Sequence, residues 1–250
     1  MDRSTWMRVW VEKNYGQMSK RAAQIVGETI AANPKAVLGL ATGQTPEGCY
    51  AELVRMHREE GLDFHLITTF NLDEYLGLPP SHEQSYRRYM NDKLFNHVNI
   101  DKMRTHVPDG LTPRPQEFCN SYENLIKSSG GIKLQVLGIG RNGHIGFNEP
   151  GSPFDSRTRV VDLSEETRRD NSRFFGSIDQ VPRRAMTMGL ATIMDARRIL
   201  LLASGVNKAQ AVKRAIKGST DPEVPASVLQ LHPDCTFLLD KGAASIVSEG

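Results

Sequence analysis

The segment from Gly138 to Pro150 carries three side chains suited to acid–base chemistry, which are Asn142, His144 and Glu149. An imidazole with its ordinary pKa near ~6.5 can both take and give a proton at neutral pH. A carboxylate that follows shortly after it in the same loop can fix the tautomer and the orientation of the ring. These residue types at this spacing therefore predict a proton relay centred on His144.

The glycines of the same segment also fit the G-x-G-x-x-G fingerprint of dinucleotide-binding folds, and Asp162 stands at a tolerable distance for its acidic partner. That fingerprint requires a helix directly after its last glycine, Gly143. Here Gly146 and Pro150 would break such a helix. The absence of a helix after Gly143 therefore disfavours a nicotinamide cofactor. A glycine-rich turn without a catalytic role remains the alternative to the proton relay.

A second group of polar residues follows the apolar stretch Ala36–Ala41, which is typical of a buried strand. The loop after that strand consists of Thr42, Gly43, Gln44 and Thr45. Because threonine suits an N-cap and Pro46 suits a first helical position, the loop should open a helix. Backbone N–H groups and the dipole at such a helix N-terminus can bind an anion, although a well-capped helix without a ligand fits equally well. The loop lacks the Gly-Lys-Ser/Thr ending of a Walker motif.

Two adjacent carboxylates, Asp73 and Glu74, follow a predicted strand over residues 65–70. Successive residues of an extended chain face opposite ways, so we expect at most one of them to face a given site. We expect Asp73 to keep an ordinary pKa near ~3.9 and to be ionised at neutral pH, as a general base requires. A solvated acidic turn is the alternative.

Cations occur at two further places. Lys208 stands in the first turn of a predicted helix that ends at Ile216, where it opposes the helix dipole unless an anion is bound. The charged segment 165–175 contains Arg168, Arg169 and Arg173, which are typical of a solvated face.

The composition is that of an ordinary globular protein, with 250 residues, 39% hydrophobic and 24% charged, and a formal net charge of +2. It shows no basic run typical of nucleic-acid binding and no apolar run long enough to span a membrane. Residues 1–6 lack an apolar signal core. Cys49, Cys119 and Cys235 are odd in number and widely spaced, which argues against a disulfide framework and a zinc site and favours a cytoplasmic location.

The elements that must position these groups alternate between apolar strands and amphipathic helices. Strands are predicted over residues 7–12, 36–41, 65–70, 132–137, 157–163, 185–190, 199–203 and 235–239. Helices are predicted over residues 17–32, 46–60, 85–98, 116–127 and 205–216. The alternation predicts a single α/β domain over residues 1–250 with a doubly wound, mostly parallel sheet and helices on both faces, Rossmann-like and three-layered. The polar loops should then collect at the carboxyl edge of the sheet.

Five motifs in chain order resemble the glucosamine-6-phosphate deaminase family. They read GLATGQTP over residues 39–46, FNLDEY over 70–75, GIGRNGHIGFNEP over 138–150, NSRFF over 171–175 and LQLHP over 229–233. The resemblance implies the hydrolytic, isomerising deamination of D-glucosamine 6-phosphate to D-fructose 6-phosphate and ammonia. It also implies a sugar-phosphate substrate, no metal or organic cofactor, and no nucleic-acid or membrane partner.

The resemblance assigns roles to the residues that match its motifs. Arg173 and Lys208 would bind the phosphate together with the Thr42–Thr45 loop. His144 would open the sugar ring, with Glu149 orienting the imidazole.

Asp73 matches the carboxylate that moves the C2 proton to C1, and Glu74 ranks behind it. Asn142 stands where the family often has aspartate. It cannot take a proton, but its carbonyl oxygen can still accept from a ring N–H. His232 of the last motif is interpreted as structural.

Some members of this family are activated by N-acetylglucosamine 6-phosphate at a subunit interface. Ser152 and Arg159 match the pattern of that effector site, whereas Pro153 and Val161 replace a hydroxyl and a lysine. We therefore expect no such activation, and the sequence leaves self-association open.

Two alternatives remain at this level. A 6-phosphogluconolactonase shares the fold and the Gly-His loop, but Tyr75 and the segment 147–150 argue against it. A sugar-phosphate-sensing domain of a transcriptional regulator is disfavoured because Asp73, His144 and Glu149 are retained and no helix-turn-helix or basic patch precedes residue 7.

Overall fold

The computed structural model describes residues 7–247, which form a large parallel sheet with helices around it and a small second sheet. Residues 1–6, over which the sequence predicts no signal core, lie outside this part of the chain, as do residues 248–250.

Most elements match the predicted alternation. The strands are β1 (Met7–Glu12), β2 (Val37–Leu40), β3 (Thr68–Asn71), β4 (Asp73–Tyr75), β5 (Thr105–His106), β6 (Leu134–Leu137), β7 (Arg159–Asp162), β8 (Arg184–Thr187), β9 (Ile199–Ala203) and β10 (Cys235–Asp240). The helices are α1 (Tyr15–Ala32), α2 (Glu47–Glu60), α3 (Tyr86–Met90), α4 (Pro115–Ser128), α5 (Glu165–Phe175), α6 (Leu190–Met194) and α7 (Ala209–Lys217). Of these elements, β4, β5, α5 and α6 were not predicted.

The main sheet has seven strands in the order β1-β10-β9-β6-β2-β3-β5, and all of its neighbours are parallel. The order reverses between β2 and β6, because β3 and β5 extend the sheet beyond β2 while β9 and β10 extend it beyond β6. The loops after two such strands leave in opposite directions and open a crevice at the carboxyl edge. These are the loops that carry Thr42–Thr45 and His144.

Both faces of the main sheet are buried. Leu200 and Leu238 lie in one hydrophobic cluster with α1 and α2, while Leu201 and Phe237 lie in a second cluster with α4 and α7. Successive strand residues point to opposite faces, so each central strand needs a helical layer on either side. The predicted doubly wound fold with helices on both faces is therefore confirmed.

A second sheet, antiparallel and in the order β4-β8-β7, was not predicted. The sequence pattern predicts strands at the segments of β7 and β8 but indicates no separate sheet. Periodicity reports that a segment is extended and does not report its partner. Only Leu72 separates β3 from β4, so Asp73 enters this small sheet directly from the carboxyl edge of the main one.

Two details of the predicted helices are wrong. Thr45 does not cap α2: Pro46 occupies the N-cap without a side-chain hydrogen bond, and the helix begins at Glu47. The Tyr15 hydroxyl of α1 accepts from the Gly48 N–H in the first turn of α2 at 2.8 Å and so supplies a capping oxygen in place of Thr45. The helix predicted over residues 85–98 is α-helical only to Met90 and continues as a π-helical turn, Asn91–Phe95.

Within residues 7–247, no helix is both long and apolar enough to cross a membrane. The three cysteines are free thiols buried in the protein.

Candidate active site

A cleft of about 540 Å³ opens at the carboxyl edge of the main sheet. Its walls include most of the residues that the sequence singled out, namely Thr42, Gly43, Gln44, Thr45, Asp73, His144, Arg173 and Lys208. Asn142 and Glu149 do not line the cleft. They lie behind His144, where Asn142 accepts from its backbone N–H and Glu149 lies beside its ring. Segments far apart in the chain thus meet at one site.

The cleft contains groups suited to an anion. The backbone N–H groups of the Thr42–Thr45 loop donate to no acceptor within the described chain. Lys208 and Arg173 also line this cleft, and neither forms an ion pair with a carboxylate of residues 7–247. Burial lowers the pKa of Lys208, and repulsion from Arg141 and Arg173 lowers it further. A bound phosphate would relieve that repulsion and accept the free N–H groups.

His144 lies in the loop after β6 with its ring 29% exposed to the cleft. Its Nδ1 is buried and has no hydrogen-bond partner in residues 7–247, and the nearest carboxylate oxygen is Glu149 Oε2 at 3.9 Å. Burial lowers the pKa of His144, and the Lys208 ammonium lowers it further, whereas Glu149 raises it. The imidazole is therefore mainly neutral at neutral pH and able to accept a proton.

Glu149 is held in place by neutral donors on two sides. Asn142 Nδ2 donates to Glu149 Oε2 at 3.0 Å, and the Thr167 hydroxyl of α5 donates to Oε1. The Asn142 carbonyl oxygen accepts from the backbone N–H of His144 at 3.1 Å, so the possibility that it accepts from the ring is not realised. Asn142 therefore fixes both the loop and the carboxylate, and it leaves Glu149 as the carboxylate beside the ring.

Asp73 lies against the same cleft, only 6% exposed. Burial raises its pKa to about 8, and the neighbouring Glu74 charge contributes. The predicted ordinary pKa is thus wrong, because the second sheet covers this carboxylate, which the sequence did not reveal. A pKa near the working pH is what an efficient general base requires.

Glu74 points away from the cleft, as expected for one of two adjacent strand residues. Its carboxylate accepts from the backbone N–H groups of Tyr75, Tyr86 and Arg87 and from the Ser85 hydroxyl, at 2.7–3.0 Å. It thereby satisfies the free N–H groups at the start of α3. Its contacts are structural.

Two glycines of the Gly138–Pro150 segment are required by close packing. A Cβ on Gly140 would overlap the His144 imidazole. Gly146 has φ +57, and a Cβ there would lie 2.9 Å from Thr187 Oγ1 and 3.4 Å from Asp73 Oδ2. Gly140 makes room for the His144 ring, and Gly146 lets the loop that follows β6 lie close to the Asp73 carboxylate.

Helix α5 contributes more to the cleft than the sequence indicates. Its charged residues were expected on a solvated face, but Thr167, Asp170, Asn171 and Phe174 line the cleft with Arg169 and Arg173. The first four recur at positions i, i+3, i+4 and i+7, which is one face of a helix, and this spacing could have indicated them. His232, interpreted as structural, is 1% exposed and hydrogen-bonded through both ring nitrogens to backbone groups.

A loop with free N–H groups, two cations, a buried carboxyl group and a histidine with a carboxylate behind it thus meet at one cleft, at the reversal point of a doubly wound sheet. They define an α/β enzyme that acts on a phosphorylated small molecule by proton transfer. The model of one protein family, described as glucosamine-6-phosphate isomerases/6-phosphogluconolactonase, matches residues 12–237. The chain belongs to this family.

Curated relatives place the chain more narrowly. It is 54% identical to the glucosamine-6-phosphate deaminase of Halothermothrix orenii over 96% of this chain and 100% of that one. It is also 54% identical to the enzyme of the same name from Bacillus velezensis, over 95% and 99% of the two chains. The resemblance stated from the motifs is confirmed.

Solved structures agree. A monomeric glucosamine-6-phosphate deaminase superposes with a TM-score of 0.94 at 50% identity, covering 96% of this chain and all of that one. The 6-phosphogluconolactonase of Trypanosoma brucei gives a TM-score of 0.76 at 21% identity over 96% and 98% of the two chains. The lactonase likeness shows a shared fold alone.

Proposed function

We propose that the protein is a glucosamine-6-phosphate deaminase, which converts D-glucosamine 6-phosphate and water to D-fructose 6-phosphate and ammonia. The observation that carries the proposal is that Asp73 and His144 line the same cleft as the Thr42–Thr45 loop. A substrate held there by its phosphate presents its reacting carbons to both groups.

The phosphate end of the substrate binds to the backbone N–H groups of Thr42–Thr45 and to Lys208 and Arg173. The binding is electrostatic and oriented, since several donors converge on one dianion. It fixes the sugar without taking part in the chemistry.

Ring opening is assigned to His144. Its neutral imidazole takes the proton of the anomeric hydroxyl and delivers a proton to the ring oxygen, which breaks the C1–O5 bond and gives the open aldehyde. Glu149 stabilises the transient imidazolium by its charge, and Asn142 and Thr167 keep that carboxylate in position.

Isomerisation is assigned to Asp73. In its ionised form it removes the C2 proton to give an enolamine and returns the proton to C1, which leaves an imine at C2. Water then adds at C2 and ammonia leaves, giving the ketose. The cationic amino group of the substrate, placed near C2, favours the ionised form of this buried carboxyl.

A coupled assay tests the proposal. Purified protein with glucosamine 6-phosphate should release ammonia and fructose 6-phosphate in equal amounts, whereas 6-phosphogluconolactone should be hydrolysed no faster than in buffer. Lactone hydrolysis without ammonia release would refute the proposal in favour of the lactonase.

We also propose a cytoplasmic location, which three buried free thiols support. Self-association is not required by the assigned chemistry, because every residue given a role here comes from one chain.

A further inference from the structure

Three tyrosine hydroxyls from three different helices donate to backbone carbonyl groups at the anion-binding loop. The pairs are Tyr50 of α2 with Ala41 at 2.5 Å, Tyr89 of α3 with Gly43 at 2.6 Å, and Tyr15 of α1 with Gln44 at 3.1 Å. We call Tyr15, Tyr50 and Tyr89 the tyrosine clamp. None of the three lines the cleft.

The clamp determines where the loop N–H groups point. A trans peptide is planar, so the carbonyl of one residue and the N–H of the next point in opposite directions. Carbonyl groups of residues 41, 43 and 44 that are held toward the helices therefore turn the N–H groups of Thr42, Gln44 and Thr45 away from them. Those N–H groups have no acceptor within residues 7–247, and the loop that bears them lines the cleft.

The clamp also joins the loop to the rigid scaffold. The Tyr15 hydroxyl accepts from the Gly48 N–H at 2.8 Å, so it connects the loop to the first turn of α2. The rings of Tyr50 and Tyr89 pack edge to face with centroids 6.4 Å apart. Burial raises the pKa of both phenols, which keeps them protonated as donors.

We propose that Tyr15 and Tyr89 are positioning residues for phosphate recognition, acting through the direction of the loop N–H groups and not by touching the ligand. The inference rests on the proposed function, which assigns this loop to the phosphate of the substrate. A flexible Gly43-containing loop would otherwise lose part of its binding energy in ordering these donors.

The test compares Tyr15→Phe, Tyr89→Phe and the double variant with the parent. Inorganic phosphate is the probe, titrated by calorimetry and used as a competitive inhibitor. Each single variant should bind phosphate about two- to tenfold more weakly, the effect of one hydrogen bond. KM for glucosamine 6-phosphate should rise by the same factor, while kcat stays within about twofold because the reacting groups are untouched.

Tyr122→Phe is the matched control. Its hydroxyl also donates to backbone carbonyl groups, those of Asn71 and His106 at 2.9 and 3.0 Å, and lies outside the clamped loop. Tyr122→Phe should lower the stability of the protein and leave its phosphate affinity unchanged. Tyr15 is 37% exposed, so Tyr15→Phe is safe for folding and gives a result even if a Tyr89 variant unfolds.

Unchanged phosphate affinity in folded Tyr15→Phe and Tyr89→Phe would overturn the inference, as would a parent that binds no inorganic phosphate. Calorimetry does not depend on turnover. A parent that binds phosphate but releases no ammonia would instead refute the proposed function and leave the clamp to be judged on binding alone.

Discussion

At the scale of single residues, the proposed chemistry depends on the Asp73 carboxyl group, whose pKa is set mainly by burial. The pKa of Asp73 is raised to about 8, so in the free enzyme the base form is the minor one at neutral pH. We predict that kcat/KM for glucosamine 6-phosphate rises with pH with a midpoint at about 8. A profile that is already flat from pH ~5 upward would show that Asp73 is ionised as an ordinary aspartate.

Replacing this carboxyl should separate binding from catalysis. Asp73→Asn keeps the shape and removes the basicity, so kcat should fall by about 10²- to 10⁴-fold while phosphate-driven binding survives. The variant should also fail to exchange the C2 hydrogen with deuterated solvent. Exchange at the parental rate would place the base elsewhere, with Glu74 next in line.

The same variant carries a stability signature. The pKa of Asp73 is about 8 in the folded protein, which lies above its value in the unfolded chain. Below about pH 4 the carboxyl is protonated in both states, so the shift does not change the free energy of unfolding. As the pH rises toward about 8, only the unfolded chain loses this proton readily, so the free energy of unfolding falls. Asp73→Asn does not titrate there. The Tm of the variant relative to the parent should therefore increase between those two pH values, as thermal denaturation would show.

At the scale of elements, helix α5 contributes both to the cleft and to the support of Glu149. Arg173 lies at the cleft, and Thr167, 5% exposed, donates its hydroxyl to Glu149 beside the His144 ring. Thr167→Val keeps the volume and removes this donor, so kcat should fall about tenfold with little change in KM.

Thr192→Val is the matched control, since it removes a buried hydroxyl donor to a carboxylate, Glu123, outside the cleft. It should lose stability and keep kcat, whereas Thr167→Ser should restore activity. Equal kcat losses in Thr167→Val and Thr192→Val would show that Thr167 acts only through stability.

The segment after β9 brings Lys208 to the cleft, where Arg173 is the other cation proposed to bind the phosphate. Lys208→Ala should weaken glucosamine 6-phosphate binding by about ten- to a hundredfold, the effect of one charge-assisted contact, and Arg173→Ala should act in the same direction. KM measured against ionic strength checks the electrostatic origin. If both variants bound the substrate as the parent does, the phosphate would have to lie elsewhere.

At the scale of the whole molecule, the residues of the expected effector site are occupied within the fold. Arg159 donates to the Asn148 side chain at 2.8 Å and to the Ser152 hydroxyl at 3.4 Å, while the side chains of Pro153 and Val161 are apolar. We predict that N-acetylglucosamine 6-phosphate does not activate the enzyme, because an effector needs differential affinity for two states. Rate curves should be hyperbolic with or without it. A sigmoidal curve that this sugar phosphate turns hyperbolic would contradict the prediction.

The sequence by itself determined the fold class and the candidate residues. The apolar segments and their helical spacers specify a parallel sheet buried on both faces, and the loops holding Thr42–Thr45 and His144 follow from the carboxyl-edge rule. These features are local, or follow from topology rules that depend on little else. The five motifs, which occur in the chain in the family's order, indicated the protein family.

Only the tertiary structure decided the electrostatics of the site. The second sheet buries Asp73 and raises its pKa, and α5 brings Thr167 to Glu149, which lies 18 positions earlier in the chain. The tyrosine clamp joins Tyr15, Tyr50 and Tyr89 to one loop from three helices. A pKa and a hydrogen bond depend on which distant groups are brought within a few ångströms and on how much water they exclude, and periodicity along a chain carries no record of either.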